Sequence, residues 1–83
     1  MPLVPRFMLS HQHKPGECQV AFASWKGFQS PLRGHSTLGS CVEGDHSLWW
    51  TVEADDAGAA VAQLPPYVAE RTEVSPVREV LIP

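Results

Sequence analysis

Basic residues are scarce in this sequence. Its 83 residues include six lysines and arginines against nine aspartates and glutamates, so the formal net charge is −3 at pH 7. Proteins that bind nucleic acids neutralise phosphates with clustered lysine and arginine, whereas the six basic residues here are scattered along the chain. We therefore expect no nucleic-acid partner.

Long apolar segments are also missing. Spanning a bilayer takes about 20 consecutive apolar residues, and no run in the chain approaches that length. Residues 1–9 have neither the apolar centre nor the small-residue cleavage site of a secretory signal. In a chain without such a signal we expect the two cysteines, Cys18 and Cys41, to be reduced thiols. These features predict a cytoplasmic protein with no membrane partner.

The sequence motifs of common enzyme classes are absent as well. There is no glycine-rich phosphate loop, no nucleophile elbow and no Cys-x-x-Cys pair. The composition, with 43% hydrophobic and 18% charged residues, is typical of a small globular protein. A chain of this size has a thin core and little charge to cover its surface, which favours association with a second copy. We interpret residues 1–83 as one domain.

Hydrophobic periodicity predicts the element order β-α-β-β-α-β. The four predicted strands cover residues 6–13, 37–43, 46–54 and 72–82, and Pro76 interrupts the last of them at a position typical of a sheet edge. The first predicted helix covers 17–29. The second begins at Asp55 or Asp56, runs to about Leu64, and is followed by a short helical turn over 67–71.

The same periodicity assigns side chains to faces. The residues expected to face the core are Phe7, Leu9, His11 and His13 in the first strand, Leu48, Trp50 and Val52 in the third strand, and Cys18, Ala21, Phe22, Trp25 and Phe28 on the first helix. Trp49 is expected on the opposite face of the sheet. Trp25 and Trp50 are predicted to fill the space between helix and sheet.

The order β-α-β-β-α-β is that of a ferredoxin-like α+β fold. Right-handed crossovers then give one antiparallel sheet of strand order 4-1-3-2, with both helices on one face. The other face is left open, and a second copy packed against it would form a dimeric α+β barrel. We therefore expect a homodimer in which Trp49 contacts the partner.

Four short segments resemble small bacterial proteins of the dimeric α+β-barrel superfamily. They are the opening Pro5 to Met8, the histidine-rich end of the first strand, the passage from the tryptophan-containing third strand into Val52 to Asp56, and the end from Arg78 to Pro83. The resemblance implies the ferredoxin-like fold and a homodimer. It also brings the chain near a group thought to bind nickel, with antibiotic-biosynthesis monooxygenases and muconolactone isomerases as larger relatives.

Groups that can bind a metal are concentrated at one edge of the predicted sheet. His11 and His13 lie two residues apart on one strand face, and the strand order brings Cys18, Cys41 and His46 to the same edge. His35 belongs to the opposite edge and is excluded. Imidazole and thiolate bind transition metals well, and a cysteine at a helix start is a better thiolate than a free one. The sequence thus predicts a site for a metal such as Ni or Zn.

Structural roles for these residues remain open. Free cysteines are among the most buried residues, so Cys18 and Cys41 are equally compatible with a position in the core. His11 can serve as a hydrogen-bonded core histidine, while His13 and His46 lie next to turns where water reaches them.

Three functions follow from this pattern. The first is a small dimeric protein that binds a transition metal through His11, His13, Cys18, Cys41 and His46. The second is a cofactor-independent isomerase or monooxygenase that binds a small molecule and uses one of these histidines as general base. The third is a dimerisation module without chemistry. The enzyme requires a ligand cavity between helices and sheet.

Overall fold

The computed structural model describes residues 4–40 and 44–83, which form a four-stranded antiparallel sheet with short helices. In chain order the elements are β1 (Arg6–Gln12), a 3₁₀ turn (Pro15–Glu17), α1 (Cys18–Ala23), β2 (Leu38–Gly39), β3 (Ser47–Glu53), α2 (Ala57–Val61), α3 (Pro66–Ala69) and β4 (Thr72–Val77). The strand order is β2-β3-β1-β4, and every neighbouring pair is antiparallel. This is the predicted order 4-1-3-2 read from the other edge, so the α+β class and the sheet topology are confirmed.

β1 lies in the middle of the sheet, and its alternate side chains fill the core. Phe7, Leu9 and His11 are buried, whereas Met8 and Ser10 between them are half-buried on the other face. Because successive side chains of a strand point to opposite faces, this alternation confirms the faces predicted for the first strand.

The core lies between this face of the sheet and the helices. Leu9 pairs with Trp50 of β3 and with Val74 of β4, so the centre of the sheet is apolar across three strands. The other buried apolar side chains of this core are Phe7, Leu48, Val52, Ala60, Leu64 and Val68. β3 therefore buries the face that its sequence pattern predicts.

The first predicted helix is wrong in its second half, because α1 ends after six residues. The segment that follows is a series of turns in which a backbone N–H donates to the carbonyl three residues earlier, as the Phe28 N–H does to the Trp25 carbonyl. Gly27 has a φ of +75°, a left-handed conformation that ends a helical path. These turns bring Trp25 against Trp50, with ring centroids 5.8 Å apart. The apolar spacing of the segment thus reflects tertiary packing.

Two predicted strands are shorter in the structure. β2 comprises only Leu38–Gly39 of the described residues in the predicted range 37–43, and residues 41–43, with Cys41, lie outside the described residues. β4 ends at Val77 and not at 82, because its last partner, Arg6, is the first residue of β1. β4 is an edge strand, as Pro76 predicts, since proline has no N–H to donate to a neighbour.

The second predicted helix and the short helical turn predicted after it are both present, as α2 and α3. Asp56 is the N-cap of α2 and accepts a hydrogen bond of 2.7 Å from the Ala59 N–H. α2 ends at Val61, and α3 starts at Pro66, where a helix needs no N–H. Because α3 begins at Pro66, the Val68 carbonyl lies beneath β1, next to His11.

The face of the sheet away from the helices is partly apolar. Met8 and Trp49 are half-buried there, Thr51 is exposed, and Leu38 of β2 is 76% exposed. None of the helices in the described ranges has the length and apolar character required to cross a membrane.

Candidate metal centre

His13 and His46 meet where β1 ends and β3 begins. The backbone N–H of His13 donates to the His46 carbonyl over 3.1 Å, one position beyond the last strand pair, Gln12 with Ser47. On the other side of β1, the Gln12 N–H donates to the Arg71 carbonyl, also over 3.1 Å. Backbone hydrogen bonds on both sides therefore fix the end of β1, and with it the positions of the two imidazoles.

Cys18 reaches the same point from the first residue of α1. In the 3₁₀ turn before it, the Glu17 N–H donates to the Lys14 carbonyl, and the Glu17 carboxylate accepts from the Lys14 N–H, both over 2.9 Å. The turn places the free thiol of Cys18 between the two rings. Its Sγ lies 3.2 Å from Nε2 of His13 and 3.0 Å from Nδ1 of His46.

These three side chains have the geometry of a metal site. Their ligand atoms all lie within 4.8 Å of one another. A tetrahedral ion bound at about 2.0–2.3 Å holds its nitrogen and sulfur ligands roughly 3.3–3.6 Å apart. The two distances from Sγ to the ring nitrogens are a few tenths of an ångström shorter than this, and all three atoms lie close enough together that His13, Cys18 and His46 could hold a metal.

His11 lies behind His13 and fixes the direction of its lone pair. Nδ1 of His11 is 3.2 Å from the Val68 carbonyl, which can only accept, so in the neutral ring this nitrogen carries the proton. Nε2 of His11 is then an acceptor, 3.0 Å from Nδ1 of His13, which must donate to it. Nε2 of His13 is left as the basic nitrogen, and it faces Cys18. Metal-binding histidines are oriented in this way by a partner on the other ring nitrogen.

Thr72 completes the support of His11. Its hydroxyl donates to the Val68 carbonyl over 2.6 Å. The hydroxyl oxygen also lies 3.4 Å from Nδ1 of His11, so the N–H of that ring can donate to both the Val68 carbonyl and the Thr72 hydroxyl. Every buried side-chain nitrogen and oxygen in the described residues has a hydrogen-bond partner. Protein groups of the core therefore satisfy the hydrogen bonds of His11 and His13, and no water is needed to complete them.

Burial keeps the inner histidines neutral. The pKa of His11, which is 1% exposed, is lowered mainly by loss of hydration, and a bond to the Val68 carbonyl only partly offsets this. The pKa of His13, which is 5% exposed, is lowered by burial and by the neighbouring charge of His46. Neutral imidazole is the form that binds metals, so burial favours coordination.

A carboxylate lies next to the cluster. The Glu17 pKa is lowered, first by the hydrogen bond from the Lys14 backbone and then by the Tyr67 hydroxyl, so this group is an anion at neutral pH. Arg71 lies 3.7 Å from the Glu17 carboxylate and stacks 3.8 Å above the Tyr67 ring. The negative charge of Glu17 partly offsets the lowering of the His13 pKa, and the same attraction would favour a cation bound there.

His46 has a strained backbone. Its φ is +55°, the one positive value among non-glycine residues in the described ranges, and it follows Gly44 at +90°. The left-handed region is costly for residues with a Cβ, and such strain is concentrated at functional sites. Here it aims Nδ1 of His46 at Cys18.

The cluster is accessible from a surface depression of about 580 Å³. His13 and His46 border it, together with Glu17, Asp45 and Arg71. An ion can therefore enter from solvent, and a fourth ligand can approach from the same side.

The structure brings together three of the five residues predicted to bind metal. His13, Cys18 and His46 converge, His11 stands one hydrogen bond behind them, and Cys41 lies outside the described residues. His35 is not a member of the cluster, in line with its exclusion.

Two contributors were missed by sequence reasoning. The Val68 carbonyl and Thr72 orient His11, but a backbone carbonyl gives no signal in a sequence, and a threonine in a strand is unremarkable.

The cluster histidines do not line the cavity between helix and sheet. That cavity, of about 230 Å³, is lined by Trp25 and Trp50 and includes His35, but not His11, His13 or His46. The enzyme hypothesis requires a cluster histidine beside such a cavity, and this arrangement does not favour it.

Fold and site together define a small α+β protein whose four-stranded sheet carries a His/Cys/His group able to hold a metal ion at one edge. No protein-family model, no curated protein and no solved structure matches the chain.

Proposed function

We propose that this chain is a small cytoplasmic metal-binding protein of the ferredoxin-like class, which holds Zn²⁺ or Ni²⁺ through Nε2 of His13, Sγ of Cys18 and Nδ1 of His46. The observation that carries the proposal is the convergence of these three atoms within 4.8 Å, with the basic nitrogen of His13 already facing the thiol. Two imidazoles and a thiolate suit both metals. A thiol ligand also requires a reducing compartment.

Metal binding would replace the thiol proton by the ion. Coordination needs the thiolate form of Cys18 and neutral imidazoles, so metal uptake displaces any proton that these ligand atoms carry. The fourth position faces the depression and would hold water or an added ligand, or else the thiolate of Cys41.

The test is metal titration of the untagged protein followed by calorimetry and elemental analysis. We expect one metal per chain, and loss of tight binding in His13→Ala, Cys18→Ser and His46→Ala. His35→Ala is the matched control, a histidine outside the cluster, and should bind like wild type. The Cys41→Ser variant shows whether the fourth ligand is a thiolate. Unchanged affinity in Cys18→Ser would refute the site.

We further propose that the open face of the sheet forms a homodimer. Met8 and Trp49 provide an apolar centre there, and Leu38 extends it to β2. Sedimentation should show a dimer that Trp49→Lys dissociates and Lys26→Glu leaves intact, since Lys26 lies on the helix side. A wild-type monomer would refute the dimer without bearing on the metal site, and a dimer that binds no metal would support the dimerisation module.

A further inference from the structure

A second cavity lies on the helix side of the sheet, remote from the metal ligands. It has a volume of about 230 Å³ and opens between α1, the loop after it and β3. Its apolar wall is formed by Phe22, Trp25, Leu32, Leu48 and Trp50. Most ligand cavities share this character, an apolar wall with a few polar groups at the mouth.

The wall is largely aromatic and held in place by the fold. Trp50 belongs to the core of β3, and its ring lies 5.8 Å from that of Trp25 at an angle of 47°. The Phe28 ring packs edge-on against Trp25, with ring centroids 6.3 Å apart. Phe22 stands at the rim and is 53% exposed, so an aromatic side chain on α1 has no covering from the described residues. These rings offer both faces and edges to a planar ligand.

The mouth of the cavity carries a positive charge that is not paired with any acidic side chain of the described residues. Arg33 lines it, and its guanidinium donates one hydrogen bond of 3.2 Å to the Phe28 carbonyl, which anchors the side chain beside the opening. Among residues 4–40 and 44–83, Arg33 has no ion pair and no aspartate or glutamate lines the cavity. A guanidinium has five N–H groups, so two neighbouring N–H groups remain that can donate to the two oxygens of a carboxylate.

We propose that this cavity binds a small aromatic carboxylate, with its ring among Phe22, Trp25 and Trp50 and its carboxylate on Arg33. The cavity lies below the roughly 300 Å³ of drug-sized sites, so the ligand has about a dozen non-hydrogen atoms. For a ligand of that size we expect a dissociation constant on the order of 0.1–1 mM.

The cavity is separate from the metal ligands but shares a neighbour with them. The Trp50 ring lies 6.5 Å from that of His11, which in turn orients His13. None of the three proposed metal ligands lines the cavity, so ligand binding can be tested on metal-free protein. The inference therefore stands or fails independently of the metal site.

Phenylacetate and its uncharged amide, phenylacetamide, are matched probes for nuclear magnetic resonance titration of ¹⁵N-labelled protein. Phenylacetate should shift the indole N–H signals of Trp25 and Trp50 saturably. The signal of Trp49, on the opposite face of β3, should stay in place. We expect the amide to bind about tenfold more weakly, the equivalent of one charge-assisted hydrogen bond.

Two charge variants isolate the role of Arg33. Arg33→Gln should abolish the preference for the acid, whereas Lys26→Gln, the same charge change at an exposed residue outside the lining, should retain it. Phe22→Ala should weaken both probes alike, and because Phe22 is exposed this variant should fold. The spectrum of each variant reports its folding directly.

Three outcomes would overturn the proposal. One is the absence of any saturable shift at Trp25 and Trp50 up to about 10 mM phenylacetate, well above the expected dissociation constant. Another is equal affinity of wild type for acid and amide. The third is movement of both indole signals with protein concentration alone, which would show that a second copy occupies the cavity.

Discussion

The backbone N–H of His13 donates to the His46 carbonyl over 3.1 Å, and the two imidazole rings meet edge-on with centroids 5.6 Å apart. One antiparallel strand pair thus positions two of the three proposed metal ligands. Folding already orders both imidazoles, so metal binding would cost little further side-chain entropy. Cys18, on a separate helix, is the third proposed ligand, and its Sγ would have to move away from both rings to make room for an ion.

The backbone of His46 gives the first prediction. His46→Gly and His46→Ala both remove the imidazole and should both lose metal binding. They differ in the backbone, because glycine adopts a φ of +55° without strain whereas alanine does not. We expect metal-free His46→Gly to be more stable than His46→Ala by about 1 kcal/mol in urea unfolding. Equal stabilities would show that position 46 is unstrained.

The second prediction concerns His11 as an orienting residue. His11→Phe keeps a ring in the core but removes the acceptor for Nδ1 of His13. We expect the metal stoichiometry to stay at one per chain while affinity falls about 10–100-fold, as for other outer partners of metal ligands. Val52→Ala is the control: it weakens the same core on β3 without contacting the histidines, and should retain wild-type affinity. A complete loss of metal in His11→Phe would instead make His11 a direct ligand.

The roles of His11 and His13 show where the sequence stops being informative. Their spacing correctly places both rings on one face near Cys18 and His46, and it suggests that they are equal ligands. Their different depths come from α3, which covers His11 with the Val68 carbonyl and leaves His13 at the strand end. The sequence predicts a helical turn after Pro65, but no periodicity indicates that this turn brings the Val68 carbonyl to His11.

The strands were more predictable than the helices for a physical reason. β1 and β3 bury one side chain in two, so alternation around Leu9 and Trp50 reveals their faces directly. Residues 18–28 have helical spacing, yet only the first six form α1. The packing of Trp25 on Trp50 and the positive φ of Gly27 overrule the local preference there.

The third prediction uses two adjacent aspartates as a matched pair. The sequence leaves Asp55 and Asp56 equally suitable as the cap of the second helix, whereas in the structure the Asp56 carboxylate accepts the Ala59 N–H over 2.7 Å. Asp56→Ala should lower the free energy of unfolding by about 0.5–2 kcal/mol. Asp55→Ala makes the same change in charge and should have little effect. Chemical denaturation of both variants measures the two free energies of unfolding. A larger loss of stability in Asp55→Ala than in Asp56→Ala would contradict the assignment of Asp56 as the cap.

The fourth prediction is that acid destabilises the metal-free protein. Burial lowers the pKa of His11 and His13 in the folded state below the ordinary value of 6.5, so the unfolded chain binds more protons than the folded chain as the pH falls. The contribution of these neutral histidines is fully present above pH 6.5 and is lost as the pH falls from there toward their folded-state pKa values.

Urea unfolding in chelator between pH 8 and about pH 5 measures this effect. The free energy of unfolding should decline below pH 6.5 by up to about 1.4 kcal/mol per pH unit for each proton. His11→Phe should make the decline shallower, because one titrating group is gone, while the exposed His35→Ala should leave it unchanged. A stability that does not change with pH in this range would mean that His11 and His13 are as easily protonated in the folded protein as in the unfolded chain.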